Sequence, residues 1–135
     1  MIGLDTNVLV RYMAQDEPKQ AARATRLIEK ELSAAEPGFI SLVVLVELCW
    51  VLKRLYSASA GELLAVVEDL LNTPRFYLDR RDVVVTTVQF MRAGQGSKAG
   101  FVDALIAQLA AAQGCSRIVS FDKAAVPSAG MVLLA

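Results

Sequence analysis

Four of the 14 acidic residues stand in or at the edge of apolar segments. Asp5 ends the run IGL and precedes TNVLV, Glu47 separates LVVLV from LCWVL, Asp103 lies within GFVDALIAQLAAA, and Asp122 follows IVSF. By contrast Asp16, Glu17, Glu29, Glu31, Glu36 and Asp79 sit in polar stretches where a solvated role suffices. Burying a carboxylate costs several kcal/mol unless it is paired, hydrogen-bonded or metal-bound. At helical spacing Glu47 meets Val43, Val44, Trp50 and Val51, and Asp103 meets Ala99, Gly100, Ile106 and Ala107, so neither has a basic partner on its own helix. Compensation must then come from elsewhere in the fold. Carboxylates gathered in one pocket repel one another, and a divalent cation relieves that repulsion. Oxygen donors without imidazole or thiolate favour Mg2+ or Mn2+ over zinc. Such a cluster could orient and deprotonate a water, neutralise a phosphate and stabilise a leaving alkoxide, which is the chemistry of metal-assisted phosphate-ester hydrolysis.

Composition narrows the alternatives. The chain has no histidine, which excludes Ser-His-Asp and Cys-His catalysis and the common His-based zinc sites. With 14 basic against 14 acidic groups, a polybasic nucleic-acid coat is excluded, but a compact site with its own cations is allowed. Cys49 and Cys115 are far apart in apolar surroundings and read as buried, reduced core thiols. At 135 residues the length predicts one domain over residues 1–135. Mean hydropathy is high at +0.44, yet the most apolar run, Phe39–Leu52, contains Ser41 and Glu47 and is shorter than the ~18 residues a membrane span needs. MIGLDTNVLV has no basic region before its apolar run, so it does not read as a secretory leader. The expectation is a cytoplasmic protein that makes no use of a membrane.

The elements that must position these acids are short. Ile2–Leu4 predicts a strand that stops at Asp5, Thr6 and Asn7, residues that favour turns and helix caps. A helix follows from Pro18, with Ala21, Ala22, Ala24, Leu27, Ile28 and Leu32 as its apolar positions, and Pro37 and Gly38 end it. Phe39–Ser41 predicts a second strand, with Ser41 capping a helix to about Tyr56 whose buried stripe is Val44, Leu48, Val51, Leu52 and Leu55. Further helices are expected over Gly61–Leu71, Val83–Phe90 and Phe101–Gln113, the last ended by Gly114, with strands at Phe76–Leu78, Ile118–Ser120 and Met131–Leu134. Val83–Phe90 also has strand propensity, but Val84, Val88 and Met91 keep helical spacing behind Asp82. Short strands alternating with longer helices predict a parallel α/β sheet covered on both faces. Ligands of such sheets bind outside the carboxyl ends of the strands, where Asp5 and Asp122 fall.

IGLDTNVLVRY, VELCWVL, FVDALIAQLAAAQGC and IVSFDK, in this order and spacing, resemble the four acidic blocks of the PIN domain, most closely those of VapC-type toxin ribonucleases of type II toxin–antitoxin pairs. The resemblance spans nearly the whole chain. It implies a three-layer α/β/α sandwich with a five-stranded parallel sheet in the order 3-2-1-4-5. It implies Asp5 and Asp103 as principal ligands of Mg2+ or Mn2+. Glu47 would bind metal directly or through water and help activate the nucleophilic water, and Asp122 would complete the pocket. Thr6, Asn7 and Ser120 would fix the carboxylates by hydrogen bonds. The implied function is a metal-dependent endoribonuclease, with RNA as substrate, a VapB-like antitoxin as partner and a homodimer as assembly. SFD stands here where relatives often have TFD, and the hydroxyl is kept.

Each acid has a plainer reading: Asp5 as a helix cap, Asp103 as a first-turn acid favoured by the helix dipole, Glu47 in a buried ion pair, Asp122 in a turn. The match of all four together favours the nuclease. GQGSKA, Gly94–Ala99, is a formal dinucleotide motif but follows a predicted helix, so it reads as a loop from which Lys98 could reach RNA phosphate near Asp103. Arg11, Lys53, Arg54, Arg80 and Arg81 could line an RNA track, although solvated surface charge is the default for them. Trp50 and Tyr56 are expected in the core. The alternatives are a noncatalytic PIN-like module that binds RNA or protein, and a haloacid-dehalogenase-like phosphatase, whose Asp-x-Asp requirement Asn7 fails.

Overall fold

Three of the short apolar runs pair as parallel strands: β1 (Ile2–Gly3), β2 (Gly38–Ile40) and β3 (Phe76–Leu78). The order is β1-β2-β3, with Ile2 opposite Gly38 and Ile40 opposite Leu78. The computed structural model describes residues 1–94, 100–124, 126 and 129–134. They fall into two compact units, Met1–Arg81 and Asp82–Ala135, and each is described by itself.

In the first unit, alternation decides which strand residues face the core. Phe76 and Leu78 are buried, whereas Tyr77 between them is exposed and stacks on Phe39 with ring centroids 6.4 Å apart. Gly38 packs closely: a Cβ there would lie 2.6 Å from Leu4 Cδ1 and 2.8 Å from Leu32 Cδ1, so both buried leucines would have to shift. A helix not expected from the sequence, α1 (Thr6–Ala14), leaves β1 directly. Its TNVLVRYMA is short and holds two β-branched valines, which weaken helix propensity, but the Asp5 cap and burial of Leu9 and Val10 fix it. Then α2 (Pro18–Arg26) starts on the Glu17 side chain, which accepts from Lys19 and Gln20 N–H, and packs on α1 with Ala21 and Ala24 buried. It continues as a single π-helical stretch, Leu27–Glu31, closed by Leu32 N–H on the Leu27 carbonyl at 2.9 Å.

The helix α3 (Leu42–Tyr56) is capped as expected: Ser41 Oγ accepts from Val44 N–H at 3.2 Å. Its buried stripe differs from the expected one, since Leu45, Leu48, Cys49 and Leu52 are buried while Leu55 is exposed. Burial pushes the Cys49 thiol up to about 11. Next, α4 (Ala60–Asn72) opens on a capping box between Ser59 and Glu62. Leu9, Ile28, Ile40, Leu45, Leu48, Val67 and Leu78 form the most deeply buried layer of this unit, each contributing roughly 1.5–3 kcal/mol by burial.

The second unit holds most of α5 (Arg81–Ala93), a helix as its spacing predicted, with Val83, Val84, Thr87 and Val88 buried. In α6 (Phe101–Ala112), Phe101, Ala104, Leu105 and Ala107 are buried, and the chain reverses at Gly114 with φ +85°, a conformation that favours glycine. Here β4 (Val119–Ser120) pairs in parallel with β5 (Val132–Leu133), and Ala107, Ala129 and Met131 pack with Ile118. Cys115 is exposed, contrary to expectation, because it lies just past the helix end at Gly114. The two sheets thus contain the 3-2-1 and the 4-5 neighbours of the expected order. No helix among the described residues is long and apolar enough to cross a membrane.

Candidate functional site

At the carboxyl end of β1 the backbone leaves the sheet after Leu4, whose N–H donates to the Phe39 carbonyl at 3.0 Å. Asp5 is extended (φ −83°, ψ 158°), and its Oδ1 accepts from Thr6 N–H at 2.8 Å. The carboxylate is exposed, and Oδ2 has no protein partner among the described residues. Thr6 is only 4% exposed, and its Oγ1 is the one buried side-chain polar atom among the described residues without a hydrogen-bond partner. Leaving a buried hydroxyl unsatisfied costs ~1–3 kcal/mol, and here the orphaned oxygen belongs to the residue next to a carboxylate with one oxygen unused among the described residues. A divalent cation with its water shell suits such oxygen donors.

The neighbouring strand repeats the pattern. Ser41 at the end of β2 caps α3 as Asp5 caps α1, and α1 packs against α3. Glu47 lies in the second turn of α3 and is exposed. Its apolar sequence neighbours imply a buried charge in need of compensation. The actual phase of α3 turns Leu45, Leu48 and Cys49 inward and leaves Glu47 in water, so it carries no burial penalty and needs no ion-pair partner.

Asn7 is exposed and lines a groove of about 260 Å³ with Arg11, Gln20 and Arg23, among others, where α1 meets α2. Arg11 is already engaged there: Nε donates to Gln20 Oε1 at 2.8 Å, and one terminal nitrogen pairs with Asp16 Oδ1 at 3.3 Å. Tyr56, expected in the core, is partly exposed and donates its hydroxyl to Asp16 Oδ2 at 2.6 Å. That bond lowers Asp16 and raises Tyr56 relative to their ordinary values. Trp50 departs further from expectation, at 56% exposed. A run such as LVVLVELCWVL, apolar but for Glu47, offers apolar residues on every face, so its periodicity could not reveal that Trp50 points to water.

In the second unit Asp103 occupies the first turn of α6 and is half-buried. The Gly100 cap has no side chain to offer the helix, and a first-turn acid compensates the exposed N–H groups and dipole. Asp103 has no side-chain partner among the described residues. Asp122 is exposed in the turn after β4, where its Oδ1 accepts from Ala124 N–H at 2.9 Å and its own N–H donates to Ser120 Oγ at 3.0 Å. Ser120 therefore fixes the turn that carries Asp122. Lys98 and the rest of GQGSKA after Gly94 lie outside the described residues.

The sequence predicts all four acids in one pocket; Asp5 and Glu47 belong to the first unit, and Asp103 and Asp122 to the second. Among the described residues of either unit, no group of three or more acids or thiols stands together that could hold a metal ion. Comparison with known proteins adds one finding: the model of a family described as PIN domain matches residues 2–126. No curated protein matches the chain at a significant level.

Proposed function

The chain belongs to the PIN-domain family, whose members are typically metal-dependent nucleases, and on that premise we propose that it is a metal-dependent endoribonuclease, the toxin of a VapBC-type pair. The reading includes a single PIN domain over residues 1–135 with a five-stranded sheet in the order 3-2-1-4-5, a VapB-like antitoxin as partner and a homodimer as assembly. Its principal support is the Asp5–Thr6 corner, where a carboxylate oxygen and a buried hydroxyl both lack a partner among the described residues.

Asp5 and Asp103 would hold Mg2+ or Mn2+, with Glu47 and Asp122 binding directly or through water. The bound cation supplies charge neutralisation at the phosphate and a more acidic water. The chain's own residues do the remaining work. Capping of α1 restricts the Asp5 carboxylate, since its Oδ1 is held by Thr6 N–H, while Oδ2 has no protein partner among the described residues. Glu47, exposed and without an ion-pair partner among the described residues, can take the proton of the attacking water as general base. Ser120 holds the Asp122 turn in place, and Asn7, exposed one residue beyond Thr6, can donate its amide to a phosphate or sugar oxygen.

The test is cleavage of a mixed RNA substrate by the full chain with Mg2+ or Mn2+, with and without excess EDTA, together with growth arrest on expression. Loss of both activities in Asp5→Asn and in Asp103→Asn is expected. Full cleavage by either variant, or undiminished cleavage in EDTA, would overturn the proposal. If calorimetry detects no divalent ion bound at millimolar concentration, the noncatalytic RNA- or protein-binding module takes its place.

A further inference from the structure

The outward face of α3 carries, beside Glu47 of the proposed nuclease site, an indole and two cations that have no role at the metal. Val43, Glu47, Trp50 and Arg54 follow at four-, three- and four-residue steps, which place them on one side of the helix. With a rise of 1.5 Å per residue, Glu47 and Arg54 lie roughly 10 Å apart along the axis. Trp50 stands between them, and with Lys53 and Arg54 it lines an open pocket of about 480 Å³. Lys53 and Arg54 are both exposed, and neither has an ion-pair partner among the described residues. This distinguishes them from Arg11, which Asp16 and Gln20 hold.

We propose that Trp50, Lys53 and Arg54 form a stacking site for an unpaired base of single-stranded RNA, one turn of α3 beyond Glu47. The inference rests on the ribonuclease reading for its substrate and adds how that substrate is gripped. An indole with more than half its surface in water loses apolar contact unless a flat partner covers it, and a base offers such a face in any sequence. The two adjacent cations suit the flanking phosphates, and single strands are gripped by this pairing of aromatic and basic groups. The chain has zero formal net charge, so two unpartnered cations beside the indole are a local feature rather than part of a general basic coat. The row suits a protein partner less well, because Glu47 interrupts the apolar surface between Val43 and Trp50, and Arg54 ends it. A second copy laid antiparallel could set Glu47 against Arg54, and the test below includes that outcome.

Trp50 is the only tryptophan, so its fluorescence reports the site directly. The full chain is titrated with short uridine and adenosine oligoribonucleotides in EDTA, where binding is read without cleavage. Saturable quenching is expected. Trp50→Ala, followed by anisotropy of a labelled oligonucleotide, should bind roughly five- to 150-fold more weakly, the loss expected for one stacked base, while Trp50→Phe keeps most of the affinity. Lys53→Ala with Arg54→Ala should weaken binding and reduce the salt dependence by about 0.7 in slope for each phosphate no longer neutralised. Cleavage by the wild type with no quenching, and with Trp50→Ala binding as tightly, overturns the stacking site alone. Quenching without cleavage in Mg2+ or Mn2+ keeps the site and overturns the nuclease reading. Emission that shifts with protein concentration in the absence of RNA, together with a dimer that Trp50→Ala dissolves in sedimentation, assigns the face to a contact between copies and overturns the proposal.

Discussion

The two ends of α1 each present an exposed aspartate, and their surroundings make them opposites. At the helix start, Asp5 has one oxygen on Thr6 N–H and the other without a protein partner among the described residues. Beyond the helix end, Asp16 has both oxygens engaged, one by the Tyr56 hydroxyl and one by Arg11. A carboxylate accepts about four hydrogen bonds, so capacity remains at both, but at Asp16 the nearby protein donors have converged on it. Sequence context separates the same two residues for another reason, as an acid in an apolar run and an acid in a polar one. The structure replaces that distinction with a more useful one, since both are exposed and only the disposition of donors differs. The general lesson is that an apolar neighbourhood in sequence does not establish a buried charge.

The largest effect should come from Asp5→Asn, which keeps the cap and the fold but removes the charge. Cleavage should fall to the metal-free background while thermal unfolding stays close to wild type, and a large loss of stability would show that Asp5 serves mainly to cap α1. Glu47→Gln comes next. If Glu47 is the general base, cleavage should fall by about 10²–10⁴-fold with little change in RNA affinity, measured by single-turnover kinetics and by anisotropy. A wild-type rate would return Glu47 to the role of a solvated helix residue.

Thr6→Val sharpens the comparison because it separates stability from function. Valine has nearly the shape of threonine without the hydroxyl, so removing an unsatisfied buried oxygen should raise the stability of the metal-free chain by roughly 1 kcal/mol. If that oxygen supports the cation's surroundings, metal affinity should fall by about 10–100-fold in the same variant, read by calorimetry with Mn2+. Stabilisation without any change in metal affinity would leave the orphaned hydroxyl a packing defect.

Much of the fold is legible in the sequence, for identifiable reasons. Ser41 as a cap, the Pro18 start, the Gly114 stop and the choice of helix over strand for Val83–Phe90 rest on local chemistry, and each is seen in the structure. The helix α1 is not legible, because its two valines and short length give a weak signal, which burial of Leu9 and Val10 overrides. Helix α3 is legible in extent but not in phase, because nearly every side of it is apolar and only packing against the rest of its unit selects Leu45 and Cys49 over Val44 and Val51. That one rotation explains both the exposure of Glu47 and that of Trp50. The Asp16–Tyr56 link spans forty residues and leaves no periodic trace in the sequence. The four acidic blocks are legible as a set, whereas the hydrogen bonds that distinguish Asp5 from Asp122, one held by the next residue and one by a turn resting on Ser120, are local geometry that composition does not carry.

The smallest effect is expected at the far end of α1, and its sign is fixed by the pairing there. The Tyr56 hydroxyl holds Asp16 below its ordinary value, so this interaction contributes stability above the usual carboxylate range and loses it as pH falls through the lowered value. Asp16 in turn raises Tyr56 above its ordinary 10.0, so the same interaction is fully present below that value and disappears as pH rises through the raised one. Tyr56→Phe should therefore lower the thermal midpoint slightly near neutral pH, and its difference from wild type should vanish in acid and again in strong alkali. Both groups are exposed, and an exposed pairing of this kind is a minor term. Asp16→Ala removes the same bond and also leaves Arg11 without its carboxylate partner, held in the α1–α2 groove by Gln20. A modest gain in RNA affinity, with a slightly steeper salt dependence and unchanged metal affinity, is the expected result. If instead Asp16→Ala removed cleavage as Asp5→Asn does, an acid with both oxygens already engaged would be as essential as one with an oxygen free, and the contrast between the two ends of α1 would no longer separate function from structure.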